Sequence, residues 1–426
     1  MNLWLAAVAA VFVVYGLVSQ RLSTTMITGP MVFVGAGLLI GANGLGAIDL
    51  EPDADTVTLL LEITLAVVLF SDATAINGSR WRNDASVPGR LLLIGLPLTI
   101  VIGVAAAAAL FTDLGIWEAA IIAAILAPTD ASLGQAVISN PRVPLRIRQG
   151  LNVESGLNDG IALPLVLVFI GAAEESATGG SIGAVLRFIG HEVVVAAAVG
   201  VCIGLLGGWA IIHSARKGWI SSIWTQVAAL SLAGLAYGLA VPLGGSGFIA
   251  AWLTGLTLGA LTRGKIDEIS DFSETLGSVL TMTSFLVFGA VLLGPALGGI
   301  TWQIVVYAVL ALTVIRMASV ALAMIGSGLG RASVLYLGWF GPRGLASIIF
   351  AGIVIEDAIL PGSDTIVDVV MITVALSVLV HGATSWYGSE SYADWYHHEQ
   401  GSNPEIPEAA GAPHTPTRGL MDTPPT

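Results

Sequence analysis

The sequence predicts an all-α polytopic membrane protein, and three observations carry the prediction. Hydrophobic residues make up 55% of the chain and charged ones 11%, against about 25% charged in soluble domains. Apolar runs of the roughly 20 residues needed to cross a bilayer core recur as far as residue 387. The basic residues between those runs gather on alternate connections.

Thirteen transmembrane helices are expected, over residues 3–19, 26–43, 55–75, 90–111, 116–139, 150–171, 183–212, 220–240, 245–262, 271–294, 302–325, 333–355 and 366–387. The run 183–212 is long enough to tilt or bend. Residues 3–19 have no basic leader and no clear cleavage site, so they read as a retained helix and not a signal peptide. Most of the 52 glycines lie in apolar runs, where small residues let helix backbones approach closely. Cys202, the only cysteine, excludes an intramolecular disulfide and reads as inert packing.

Orientation follows from Arg21, Arg80, Arg82, Arg90, Arg142, Arg146, Arg148, Arg216, Lys217, Arg263, Lys265 and Arg331. All lie on or beside alternate loops, and the opposite loops hold no base except Arg187, near a helix start. The positive-inside rule then puts the N-terminus outside and the C-terminus in the cytoplasm. Residues 388–426 carry six acids, one base and prolines 404, 407, 413, 416, 424 and 425, the composition of a disordered tail. That tail supplies much of the net charge of −13, and nothing argues for a nucleic-acid partner. No loop is long enough for a nucleotide-binding domain and no phosphate loop is present, so uphill transport would be driven by an ion gradient.

Ionisable residues inside a membrane helix are costly and mark ion paths or proton relays. In helix 150–171, Glu154 and Asn158 share one face, and Ser155 and Asp159 the adjacent one. Asp159 falls near the midplane, where its carboxylate is neutralised by a proton or by a metal cation. Desolvation raises its pKa and lets the two compete. The competing reading is a structural carboxylate paired with a base. In helix 116–139, Pro128 removes a donor and disfavours helix at Ala127. The break frees carbonyls, and Thr129 and Asp130 beside it add oxygen donors suited to a hard cation. A plain proline kink is the alternative.

Gly341-Pro342-Arg343-Gly344 interrupts helix 333–355 in the same way. With 183–212 as a linker, both breaks occupy the fifth helix of a six-helix half, the pattern of an inverted repeat with a midplane site. Two buried bases, Arg316 and Arg343, face four acids, Asp72, Asp130, Glu154 and Asp159. The two unpaired negative charges call for a proton or a cation. Arg316 is expected to pair with Glu154 and Arg343 to offset helix ends and a carboxylate; both read as structural. Asp72 reads equally as an entry-funnel acid or an interfacial one. His191-Glu192 reads as interfacial, a metal site at His397 and His398 is not expected, and the sequon Asn77-Gly78-Ser79 falls on the cytoplasmic side.

Leu69-Phe70-Ser71-Asp72, Ala127-Pro128-Thr129-Asp130, Asn152 through Asp159, Gly245-Ser246-Gly247-Phe248, Arg316 and Gly341-Pro342-Arg343-Gly344, in this order, resemble the monovalent cation:proton antiporters of the NhaP type. The similarity covers residues 1 to about 387. It implies an NhaA-like fold of two inverted six-helix repeats with crossed unwound helices. It also implies a core of residues about 55–171 and 271–355, with the remainder forming the dimerisation domain of a homodimer. By resemblance, Asp159 alternately binds H⁺ and Na⁺, Thr129 and Asp130 line the crossing, and Ser155 adds an oxygen ligand. Asp72 matches an acidic position facing the ion path, Glu154 and Arg316 a structural ion pair, and Arg343 the base of the second broken helix. Asn158 in front of the aspartate implies one cation per proton, hence electroneutral exchange.

The expected function is therefore not enzymatic. It is an inner-membrane antiporter, embedded in lipid, exchanging Na⁺ and Li⁺ for H⁺ by alternating access, with no cofactor beyond the transported ions. K⁺/H⁺ exchange stays open, because Na⁺ and K⁺ are told apart by cavity size and ligand field and not by residue type. A cation channel or a sensor is the alternative from another class. Neither a filter-like repeat nor a folded signalling domain is visible in the sequence.

Overall fold

The computed structural model describes residues 2–42, 44–46, 48, 55–75, 86–130, 132–178, 182–262, 269, 271–357, 360–402 and 406–409. Among them every regular element is helical. Arg80, Arg82, Arg263, Lys265, the 77–79 sequon and residues 410–426 lie outside the described residues.

The helices in chain order are α1 (Asn2–Leu22), α2 (Gly29–Ile40), α3 (Asp55–Ala75), α4 (Ser86–Leu110), α5 (Ile116–Ile125), α6 (Gln135–Ser139), α7 (Leu145–Thr178), α8 (Ile182–Arg216), α9 (Ser222–Ala240), α10 (Gly247–Thr262), α11 (Asp271–Gly298), α12 (Trp302–Ala323), α13 (Arg331–Trp339), α14 (Leu345–Asp357) and α15 (Ser363–Ser402). Nine of these described helices are long and apolar enough to cross a membrane. The shorter apolar ones are α2, α5, α10 and the stretch Leu345–Ile355.

Close backbone approach sets much of the packing. A side chain at Gly255 or Gly259 of α10 would overlap the carbonyls of Phe70 and Thr74 on α3, so the two helices meet backbone to backbone. Three helices contain a π turn, Leu91–Gly95 in α4, Phe288–Leu292 in α11 and Ala311–Ile315 in α12. Such one-turn bulges re-aim the residues that follow them, and the residue after the α12 bulge is Arg316.

Helix α3 lies against α10 and α11, and α15 lies against α12 and α14. One expectation changes, that of a tail disordered from residue 388. Residues 388–402 are not disordered but continue α15, with Ser389, Tyr392, Ala393 and Tyr396 buried. Those four recur at helical spacing, an amphipathic stripe. Composition averaged over residues 388–426 hid it, because every proline there lies at or after position 404. Past the helix, Pro407–Ala409 form a 3₁₀ turn that buries Glu408.

Candidate functional site

Two interrupted helices, α5–α6 and α13–α14, meet at their breaks. Pro128 stops α5 at Ile125, and Pro342 separates α13 from α14. The breaks are joined through the backbone: the Asp130 N–H donates to the Pro342 carbonyl at 2.8 Å. The Ser347 hydroxyl of α14 donates to the Ile125 carbonyl at the end of α5, at 2.8 Å.

Breaking a helix leaves N–H groups on one side and carbonyls on the other, with the partial charges of the helix dipole. The chain answers each with one ionisable side chain. Asp130 accepts from the Leu345 N–H at the start of α14 through Oδ2 and from the Ser132 N–H through Oδ1, both at 2.8 Å. Arg343, fully buried, donates through Nη1 to the carbonyls of Pro128 at 3.2 Å and Gly341 at 3.0 Å. Its own N–H donates to the Ser377 hydroxyl of α15 at 2.7 Å. The acid thus sits on exposed N–H groups and the base on exposed carbonyls, each with the favourable sign. Any side chain at Gly344 would overlap the Asp130 carboxylate, and any at Gly341 would overlap the Arg316 guanidinium.

Helix α7 passes beside the crossing with four polar residues on adjoining faces. Ser155 Oγ donates to the Thr129 carbonyl at 2.9 Å. Asn158 Nδ2 donates to Thr129 Oγ1 at 2.8 Å and to the Thr129 carbonyl at 3.4 Å. Asn158 Oδ1 is buried with no hydrogen-bond partner among the described residues. Asp159 is buried next to it, near the middle of the 34-residue α7. One helical turn before Asn158, Glu154 holds Arg316 of α12 in a two-pronged pair, Oε1 to Nη1 at 2.5 Å and Oε2 to Nη2 at 2.8 Å. Both are buried, and Arg316 Nη2 also donates to the Leu337 carbonyl of α13 at 3.4 Å.

The structure thus brings together Thr129, Asp130, Ser155, Asn158 and Arg343 around one crossing, with Asp159 on the adjoining α7 and the Glu154–Arg316 pair alongside. Asp72 is half-buried on the last turn of α3, a helix that packs against α7 and α14. The oxygens at the crossing, a carboxylate, a carbonyl, hydroxyls and an amide, are hard donors of the kind that suits an alkali cation. Two turns further along α7, Leu167 helps line a separate cavity of about 230 Å³ with Glu62, Glu192, Tyr237, Ser246 and Ile349. There the Tyr237 hydroxyl donates to Glu62 at 3.3 Å.

A model of the transmembrane sodium/hydrogen exchanger family matches residues 7–385. The chain belongs to that family. Among its relatives, the K(+)/H(+) antiporter NhaP2 of Shewanella sp. (strain MR-4) is 28% identical over 386 residues, covering 89% of this chain and 64% of that protein. The Na(+)/H(+) antiporter ApNhaP of Aphanothece halophytica is 28% identical over 368 residues, covering 82% and 67%. The chain therefore spans 64% of the length of the NhaP2 relative. In three dimensions it is similar to the sodium proton antiporter MjNhaP1 from Methanocaldococcus jannaschii, with a TM-score of 0.74, 21% identity, and coverage of 92% of this chain and all of that one. At that identity the likeness carries the fold alone.

For this family member, several contacts at the crossing went unread in the sequence. Ser347 and Ser377 satisfy broken-helix groups, and His381 Nδ1 lies 3.1 Å from the Ser377 hydroxyl. Ser377 and His381 are four apart, polar residues on one face of an otherwise apolar run, and that spacing was the available signal. Trp252 of α10 packs its ring on Gly160, the residue after Asp159. Its indole N–H is buried without a hydrogen-bond partner among the described residues, and nothing in the sequence marked it.

Proposed function

We propose that this protein is a secondary antiporter exchanging Na⁺ and Li⁺ for H⁺, one for one, with Asp159 as the carboxylate that carries either ion. The observation that carries the reading is the burial of Asp159 on α7 beside Asn158, which holds Thr129 at the broken-helix crossing. A buried carboxylate there is neutral with a proton or with a monovalent cation bound, and only a neutral site moves through the membrane without a large desolvation cost. Because Glu154 is engaged on both oxygens by Arg316, one titrating carboxylate remains on α7 at this level, which supports electroneutral exchange.

In this reading Thr129, Ser155 and Asn158 contribute oxygens around the cation. Asp130, with a backbone N–H on each oxygen, shapes the crossing and lends its charge. Asp72 is an acid on the approach. The nine long and four shorter apolar helices support thirteen crossings, with the breaks of α5–α6 and α13–α14 as equivalent points of two inverted six-helix repeats. The N-terminus lies outside and the end of α15 in the cytoplasm of a cell whose inner membrane holds the protein as a homodimer. One layer comprises α4 to α7 with α12 to α15 and moves against the other.

A second reading, K⁺/H⁺ exchange, is favoured by the name of the NhaP2 relative. The experiment that tests both uses proteoliposomes with a pH gradient, a lumenal pH dye, and Na⁺, Li⁺ or K⁺ added in turn, with and without a clamped potential. The expected result is collapse of the gradient by Na⁺ and Li⁺ that ignores the potential and vanishes in Asp159→Asn. Collapse by K⁺ alone selects the second reading, and no collapse with any cation rejects antiport.

A further inference from the structure

We propose that residues 389–402 and 406–409, past the apolar part of α15, form a positioning clasp that sets the cation affinity of the core. The proposal rests on the antiport reading and its orientation, which puts this segment on the cytoplasmic side. The half-helices α6 and α13 on that side have five and nine residues. Helices so short are marginal by themselves, so tertiary contacts decide where they lie.

One segment of chain grips both. On the α6 side, Ser389 Oγ donates to the Ala136 carbonyl at 3.2 Å. Asn140, just past α6, donates through Nδ2 to Ser389 Oγ at 2.9 Å and to Glu390 at 2.8 Å. Arg142 pairs with Glu390 and Asp394, and Arg146 of α7 donates to the Pro407 carbonyl at 2.8 Å. On the α13 side, Tyr392 stacks on Tyr336 with ring centroids 4.1 Å apart. Glu408 is the centre of that contact. One of its oxygens accepts from the Gly330 N–H at 2.8 Å and from the Ser333 hydroxyl at 2.6 Å. The Ser333 oxygen in turn lies 2.8 Å from Tyr392 Oη.

The two grips differ in strength. The Arg142 pairs are open to water, where ion pairs contribute little. Glu408 is only 3% exposed and binds the N-cap and first turn of α13, where a carboxylate also meets the positive end of the helix. Helix α13 ends at the break that carries Pro342 and Arg343, and α6 begins just after Asp130 and Ser132. Holding their far ends at one spacing holds the crossing, and with it Thr129 and the oxygens around the cation. Glu408 touches no transported ion in this scheme; it acts through α13.

The test compares the full chain with a stop after Ala410, a stop after Ser402, Glu408→Ala and Glu408→Gln, reconstituted at equal protein. Removing residues 403–426, or Glu408→Ala, is expected to raise the cation KM at least about fivefold, the low end of coupling between linked sites. Vmax per protein should hold, whereas the stop after Ala410 and Glu408→Gln, which keeps an acceptor oxygen, should stay near the full chain. An unchanged KM with the stop after Ser402, or a loss confined to Vmax, would overturn the clasp. Amide exchange over 135–140 and 331–339 decides the matter separately from transport. Faster exchange without residues 403–426 supports the clasp even if no cation is moved, and unchanged exchange rejects it.

Discussion

Leu345 donates its backbone N–H to Asp130 Oδ2 at 2.8 Å, from one broken helix to the other, and Asp130 returns its own N–H to Pro342 at 2.8 Å. A hydrogen bond to a charged group contributes about 1.5–3 kcal/mol. Asp130→Asn keeps the shape but loses the charge at the start of α14, and its amide end meets an N–H donor. The expected outcome is a lower thermal unfolding temperature in detergent and a raised cation KM, with Asp130→Ala worse on both measures. An Asp130→Asn protein as stable as the original, with the original KM, would place Asp130 outside the crossing's support.

Gly344→Ala is expected to abolish transport, although it adds one methyl group. The new carbon would overlap the Asp130 carboxylate, and neither the carboxylate nor the backbone can withdraw without breaking the bonds between them. Gly352→Ala, on the same helix but in ordinary contact with the flexible end of Leu61, should be tolerated. Transport assays on the two variants, with expression and unfolding temperature measured alongside, check the contrast.

Glu154 and Arg316 offer a different contrast. Removing one member of a buried pair leaves an unpaired charge and costs about 3–5 kcal/mol, while replacing both is often close to neutral. Glu154→Gln and Arg316→Met alone should each unfold at a markedly lower temperature, and the double variant should recover much of the loss. Strictly additive losses in this cycle would mean that the pair is not coupled.

Lowering the pH should weaken cation binding without lowering the rate at saturation. Protons and cations compete for one carboxylate in the proposed scheme. Below the pKa of Asp159 the apparent cation KM should therefore rise about tenfold per pH unit, the slope set by a single proton. Far above that pKa it should be flat. A fall in Vmax with constant KM would point to a proton acting elsewhere.

Much of this arrangement was legible because the costly residues are few. A proline beside Thr129 and Asp130, and another beside Arg343, stand out against apolar runs, and the Glu154–Arg316 contact follows from scarcity of partners. What stayed hidden depended on distance in three dimensions. Nothing in one dimension says that Asp130 spends both oxygens on backbone N–H groups, or that Arg343 donates to the carbonyls of Pro128 and Gly341. Ser347 and Ser377 look like ordinary small residues of membrane helices until the free carbonyl and N–H they satisfy come into view. The tail misled for another reason. Its acids and prolines describe composition, while the buried stripe of Ser389, Tyr392, Ala393 and Tyr396 is a matter of phase.

The backbone bonds between the breaks also constrain how such a chain can be rebuilt. Pro342 accepts from Asp130, Leu345 donates to it, and Arg343 reaches back to Pro128, so each half of the molecule is partly the mould for the other. A chimera that takes its first six helices from one parent and its last six from another would join two breaks never fitted to each other. Grafting the short stretches around positions 125–132 and 339–347 as a pair, from a single parent, is the smaller exchange and the one with a matched seam.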